Sequence, residues 1–322
     1  MFSAKGKFYL LVFLLLVVTG LFIQSKLNED EKHKEEFETY YKIYSLSMPD
    51  NLSFAGEVVP LSDFDVKERY DKELLTNVYW QSQTLLMIKR SEKYFPVIER
   101  ILMQNNIPAD FKYIALAESG LQPQVVSPAG AAGWWQFIDK TAKVYGLEIS
   151  EEVDERYHLE KSTEAACAYF RQAYREFGSW ALVAASYNMG VEGVKRQMQQ
   201  QGVNNYYDLY LNTETSRYVL RIMAIKEILE HKQKYGFKLV RNHLYSSVPT
   251  VKVKVTKPID DLAKFALEHN CNYKYLKLCN PWLRKNTLSN ADGKTYIIEL
   301  PKERLLPTVD ADSLMNDTLS FD

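Results

Sequence analysis

The chain has 322 residues, with 40 Lys and Arg against 41 Asp and Glu and a net charge of -1. That length suits one large domain plus a smaller one. A charge balance so close to neutral leaves no electrostatic footprint for a nucleic-acid partner.

Lys5 and Lys7 precede residues 8–23, sixteen residues without a charge. Basic residues ahead of an apolar run hold that end in the cytoplasm and export the chain downstream of it. Sixteen residues are long for a signal-peptide core and slightly short of a full span. Neither a convincing small-x-small cleavage site nor a Cys lies directly after the run. Residues 1–24 are therefore read as a membrane anchor, with a cleaved signal as the open alternative. Residues 25–62 read as a stalk or linker. It is dense in Lys, Glu and Asp up to about Tyr40. From Met48 to Asp63, Pro49, Gly56 and Pro60 mark an irregular connection.

Apolar residues three and four apart then predict helices over Val66–Thr76, Tyr79–Ile88 and Tyr94–Met103. The run Asn105–Asp110 breaks the pattern and offers Asp110 as N-cap of the helix that ends near Glu118. Further helices are predicted over Ser162–Phe177, Trp180–Tyr187, Val194–Gln199 and Thr215–Tyr235. Residues 63–240 thus read as a mostly α domain, long enough to bury a sizeable core. The pattern then switches. Val251–Val255 alternates with period two, the mark of a half-buried strand. Helical segments Asp260–His269 and Tyr273–Cys279 come next, then a strand at Tyr296–Pro301. Residues 248–303 read as a small βααβ module, and 304–322 as an acidic tail.

Chemistry concentrates around Glu118. Ala115-Leu116-Ala117-Glu118-Ser119-Gly120 places a carboxyl between a packed helix end and a Gly- and Trp-rich loop, Ser127 to Phe137. Desolvation there raises a carboxyl pKa toward working pH, as a general acid for glycosidic cleavage requires. Taken alone, a Glu-Ser pair is more simply a helix end beside a turn. Four other elements come after it in order: Ser127 with Gly130-Ala131, then Gly133-Trp134-Trp135-Gln136, Tyr187-Asn188-Met189-Gly190, and Glu214-Thr215-Ser216-Arg217-Tyr218-Val219.

This series resembles the lytic transglycosylases of the goose-lysozyme superfamily, in particular the membrane-bound murein transglycosylase D branch. Trp134 departs from the Leu or Ile more usual there, a change that alters subsite shape. The resemblance implies a lysozyme-like helical domain acting on peptidoglycan glycan strands with one acid and no metal or other cofactor. Glu118 would protonate the N-acetylmuramic acid–N-acetylglucosamine bond, then act as base on the muramoyl C6 hydroxyl to leave a 1,6-anhydro end. By motif match Ser127 and Gln136 position substrate, Tyr187 and Asn188 line the cleft, and Tyr218 bonds Glu118 or the saccharide. Each also has a plainer reading, as turn residues for Ser127 and Asn188, loop packing for Gln136, and core rings for Tyr187 and Tyr218. Glu214 reads as a helix-start residue. The clustered acids Glu151, Glu152, Asp154 and Glu155 read as solvent-facing. The C-terminal module resembles a divergent LysM module, with Pro258-Ile259-Asp260-Asp261-Leu262 in place of the usual Gly-Asp-Thr-Leu opening. Glycan binding and a purely structural role both stay open for it. So does a bridge between Cys271 and Cys279, which export would permit. Cys167 reads as a buried thiol, and the scattered His residues offer no metal-ligand spacing. The protein is expected in the cell envelope, anchored at the inner membrane or free in the periplasm, with no protein partner indicated. A hydrolytic goose-type lysozyme and a non-catalytic wall-binding protein are the competing readings.

Overall fold

The computed structural model describes residues 11, 13–21, 24, 31, 32, 34 and 43–303, in two compact units, Met1–Ser47 and Met48–Asp322. In the first unit residues 13–21 are helical and exposed. Among the described residues no helix is long and apolar enough to cross a membrane. Lys5, Lys7, part of the apolar run, most of the charged stalk and all of 304–322 lie outside the described residues.

Helices dominate the second unit. Helix α1 (Phe64–Tyr79) starts at Asp63, whose carboxylate accepts from the Val66 N–H at 2.9 Å, the usual way to satisfy a free helix-start donor. Val66, Tyr70, Leu74 and Val78 recur every fourth residue and are buried, so one stripe faces the core. Where the spacing predicts two helices, Tyr79–Ile88 and Tyr94–Met103, one continuous helix α2 (Gln81–Gln104) is found. The polar stretch between them contains no breaker, and Pro96 withholds only one N–H.

Two departures reflect partners distant in sequence. Met48–Asp63 is a packed segment with a small hairpin, β1 (Ser53–Phe54) against β2 (Glu57–Val58). Its Phe54 is fully buried against Phe111, at 5.4 Å between rings. Its Glu57 accepts from the Ser179 hydroxyl and from the N–H groups of Trp180 and Ala181. A carboxylate thereby closes the N-terminus of α6 (Trp180–Met189), where unpaired N–H groups and the helix dipole both favour negative charge. Asp110 does not cap the helix carrying Glu118. The chain enters α3 (Lys112–Ser119) through a 3-10 turn, Ala109–Phe111. Asp110 instead accepts from the Ala55 N–H at 2.8 Å and Lys226 Nζ at 2.6 Å.

After the short α4 (Asp139–Val144), α5 (Leu159–Phe177) ends at Gly178 in a left-handed cap, and Ser179 opens α6. Helix α7 (Val191–Gln201) comes next, and α8 (Thr213–Glu230) packs along α1. The buried Phe111 meets Phe170 tilted and Trp180 edge-on, at ring separations of 4.5 and 5.1 Å.

The C-terminal strands β3 (Thr250–Val255) and β4 (Tyr296–Pro301) pair antiparallel, from Thr250↔Pro301 to Val255↔Tyr296. Tyr296, Ile298 and Leu300 point to the buried face, joined there by Leu262 and Ala266 of α9 (Leu262–Glu268) and Leu276 of α10 (Tyr273–Cys279). Asp261 caps α9 by accepting from the Ala263 N–H at 2.7 Å. Cys271 and Cys279 are free thiols, and so is the buried Cys167.

Of the four acids expected to face solvent, Glu151 does, Glu152 is half-buried, and Asp154 and Glu155 do not. Asp154 and Glu155 are buried, paired with Arg156 and Lys161. Val153 forms a β-bridge with Leu283, Asp154 N–H donates to Trp282 O at 2.9 Å, and Arg284 N–H donates to Glu152 O at 2.7 Å. The Glu152 carboxylate accepts from the Thr287 hydroxyl and from Ser289 N–H and Oγ. Ala132, Val153 and Tyr157 belong to the same apolar cluster as Trp282, Leu283 and Ile298. The βααβ module therefore shares a core with the helical body.

Candidate active site

Glu118 stands in the last turn of α3, which is buried along Tyr113–Ala117 and ends at Gly120 in a left-handed cap (φ +58°). The side chain is half-buried. Burial pushes its carboxyl up to about 7, opposed by a hydrogen bond from Tyr218 and the charge of Arg221 and aided by Glu214. The negative end of the α3 dipole works in the same direction as burial. Tyr218 is held far above the ordinary phenol range, chiefly by burial and then by Glu118. It stays a hydrogen-bond donor at any working pH, and its hydroxyl donates to Glu118 Oε1.

Helix α8 supplies the groups beneath the acid. Arg221, three residues after Tyr218 and so on the same helix face, donates to Ala117 O at 3.0 Å. At the start of α8 the exposed Glu214 accepts from Asn188 Nδ2 at 2.9 Å, and Thr215 Oγ1 donates to Asn188 Oδ1 at 2.7 Å. Asn188 is thus clamped between α6 and α8. Tyr187 donates to Trp135 O at 2.7 Å. Its ring packs among Phe137, Tyr169 and Phe170, and Glu118 is among the charges that hold its hydroxyl protonated.

The Gly-rich loop is fixed from three sides. Ser119 donates to Trp134 O at 2.8 Å, which ties the loop to the end of α3. Ser127 Oγ accepts from the Ala131 N–H at 3.1 Å, closing a turn and leaving its own O–H to donate. Gln136, with φ +50°, donates through Nε2 to Val125 O at 3.0 Å and Gly133 O at 2.9 Å. Arg156 reaches in from the opposite side to Gly130 O at 3.0 Å and Phe137 O at 3.2 Å. At Gly133 (φ +77°) the Arg156 carbonyl comes so close that a Cβ would sit 2.0 Å from its oxygen.

Of the residues expected at the site, Tyr218 contacts Glu118, Tyr187 and Asn188 join the same framework, and Ser127 and Gln136 are engaged within the loop. The Trp134 side chain points away from the acid, in keeping with a residue expected to alter subsite shape without touching Glu118. Its indole N–H donates to Tyr157 O at 2.8 Å, its ring meets Tyr94 at 4.7 Å, and it lines a cavity toward the C-terminal module. The sequence reading missed Arg221, Thr215 and Arg156. Helical spacing from Tyr218 points to the first and the Glu-Thr element to the second, but no local signal marks Arg156.

Residues 95–209 match the family model of the transglycosylase SLT domain, and residues 251–304 match that of the soluble lytic transglycosylase C-terminal LysM-like domain. The chain carries a transglycosylase SLT domain followed by a LysM-like domain. The SLT match spans every element from Glu118 to Asn188, while Tyr218 lies beyond it. Membrane-bound lytic murein transglycosylase D of Escherichia coli (strain K12) is 29% identical over 243 residues, 74% of this chain and 52% of that protein. The chain spans about half the length of the curated relatives it matches. Among solved structures, the 70 kDa soluble lytic transglycosylase of Escherichia coli aligns with a TM-score of 0.38 and 19% identity, covering 51% of this chain and 30% of that one. The lytic transglycosylase Slt of Pseudomonas aeruginosa aligns with a TM-score of 0.34 and 16% identity, over 47% and 26%.

Tyr218→Phe removes the hydrogen bond that opposes the rise of Glu118. The alkaline limb of the kcat/KM profile should then move upward from about 7. A limb that stays in place or moves down would show that Tyr218 does not tune the acid.

Proposed function

We propose that this chain is a peptidoglycan lytic transglycosylase that cleaves the β-1,4 bond from N-acetylmuramic acid to N-acetylglucosamine and leaves a 1,6-anhydromuramoyl end. The observation that carries the reading is Glu118, a half-buried carboxyl in an SLT-matched segment, held by Tyr218 and pushed up to about 7 by burial. A group with that acidity can give up a proton and take one back near neutral pH. The similarity to a relative described as a membrane-bound lytic murein transglycosylase supports the substrate class.

Glu118 donates its proton to the glycosidic oxygen as the C1–O bond breaks, with Tyr218 and Arg221 stabilising the carboxylate that results. That carboxylate accepts the proton of the muramoyl C6 hydroxyl as its oxygen bonds to C1. Glu118 ends protonated and no water is consumed. A nucleophile carried by the substrate itself has the proximity advantage of an intramolecular reaction. Tyr187 and Asn188 hold the wall beside the acid. Ser127, which braces the loop by accepting from Ala131, offers its own O–H to the sugar that lies over it, and Gln136 holds the same loop. In the same reading residues 1–24 keep the enzyme at the inner membrane facing the periplasm, or direct it to the periplasm if cleaved.

Hydrolysis, as by a goose-type lysozyme, is the second reading: Glu118 would again be the acid, with water in place of the C6 hydroxyl. Mass spectrometry of digested peptidoglycan separates the two. The anhydro product is lighter by one water, whereas reducing N-acetylmuramic acid ends would overturn the proposal. An inert wall-binding protein would yield neither.

A further inference from the structure

A cavity of about 1020 Å³ lies between the helical body and the LysM-like module. It does not include Glu118, but its wall starts just past that residue, at Leu121 to Gln124. Arg90 and Lys93, one helical turn apart on α2, both line it. Arg90 donates to Gly120 O at 3.1 Å and Lys93 sits 4.9 Å from the Tyr94 ring centre. Among the described residues neither forms an ion pair. The two carboxylates in the lining, Glu160 and Glu299, are already served by Lys252 at 3.2 and 3.6 Å. The cavity thus holds two cations without acids, between partly open rings of Tyr94, Tyr245 and Tyr275 and the amides of Gln122 and Gln124.

We infer that this cavity binds a short acidic peptide, of the kind that stems from the glycan strands of the proposed substrate, with its carboxylates on Arg90 and Lys93. The inference rests on the transglycosylase reading for the peptide's source. Unpaired cations beside apolar walls suit carboxylates, because charge-assisted hydrogen bonds strengthen where water is thinned. Ring faces and side-chain amides suit peptide planes. A neutral saccharide would leave both cations without partners.

Calorimetric titration of the full chain carrying Glu118→Gln tests this without turnover. It therefore succeeds or fails independently of what product the active enzyme makes. The probes are N-acetyl-L-alanyl-γ-D-glutamyl-L-alanine, the same peptide with both carboxylates amidated, and chitotetraose. The acidic peptide should bind at least about tenfold more tightly than the amidated one. Lys93→Gln should erase most of that difference and Lys93→Arg should restore it, with melting temperatures unchanged because Lys93 is a half-buried surface residue. Equal affinity for the two peptides, an unmoved Kd in Lys93→Gln, no peptide binding, or binding of chitotetraose alone would each overturn the inference.

Discussion

Glu118→Gln is expected to retain the fold and lose turnover by roughly 10²–10⁴-fold, the range for removal of an acid–base group. The amide keeps the shape and still accepts from Tyr218, so only the proton is lost. The parent enzyme should lose activity as pH rises through about 7, where Glu118 ionises, and the variant's residual rate should show no such limb. Parent stability should fall with rising pH as well. The folded chain holds a proton on Glu118 that an unfolded chain releases from its usual 4.5. Parent stability therefore falls as pH rises from 4.5 to about 7, and the Gln variant escapes that loss. At pH 8 the variant should be more stable by at most about 3 kcal/mol, the equivalent of the rise from 4.5 to about 7, less what solvent screening removes. At pH 4 the two should coincide. Denaturant unfolding at both pH values and turnover on purified peptidoglycan check this. Unchanged turnover, or no gain in stability at pH 8, would sink the assignment of Glu118.

Gly133→Ala is expected to cost more than about 3 kcal/mol, far beyond a typical single substitution. Its left-handed backbone alone costs an L residue about 1–2 kcal/mol. The added Cβ would also lie 2.0 Å from Arg156 O and 2.5 Å from its carbonyl carbon. Those are backbone atoms and have no rotamer to change. Arg156 is anchored by Asp154 on one side and by the loop carbonyls of Gly130 and Phe137 on the other. A shift there disturbs both the Gly-rich loop beside Glu118 and the docking of the LysM-like module. Gly130→Ala is the internal control. Gly130 has nearly the same φ, +78°, with open space around its Cβ position, so only the backbone penalty of about 1–2 kcal/mol applies. Urea midpoints compare the two. Equal costs would mean that the close approach at Arg156 is unimportant.

Much of this architecture could be read from local pattern. The stripe Val66, Tyr70, Leu74 and Val78, the break at Gly178-Ser179 and the alternation of Val251–Val255 are each marked by local spacing or capping, even though the faces so marked pack on α8 and β4 far along the chain. Elements of that kind declare themselves in sequence. The order from Glu118 to Tyr218 likewise pointed to the acid and its neighbours, and the hydroxyl of Tyr218 meets Glu118.

Other features belong to tertiary structure alone. Asp110 and Glu57 look like local caps or linker charges, yet their partners lie 55 to 124 residues away. Asp154 and Glu155 look like a solvated cluster, yet they are buried where the two modules meet. The composition around Glu118 suggested a raised pKa, but its extent depends on Arg221, Glu214 and Tyr218 arriving from a helix about a hundred residues downstream. Local sequence determines which backbone groups pair with near neighbours and which faces are apolar. Desolvation and charge pairing depend instead on what packs across the gap, and only the folded chain brings those groups together.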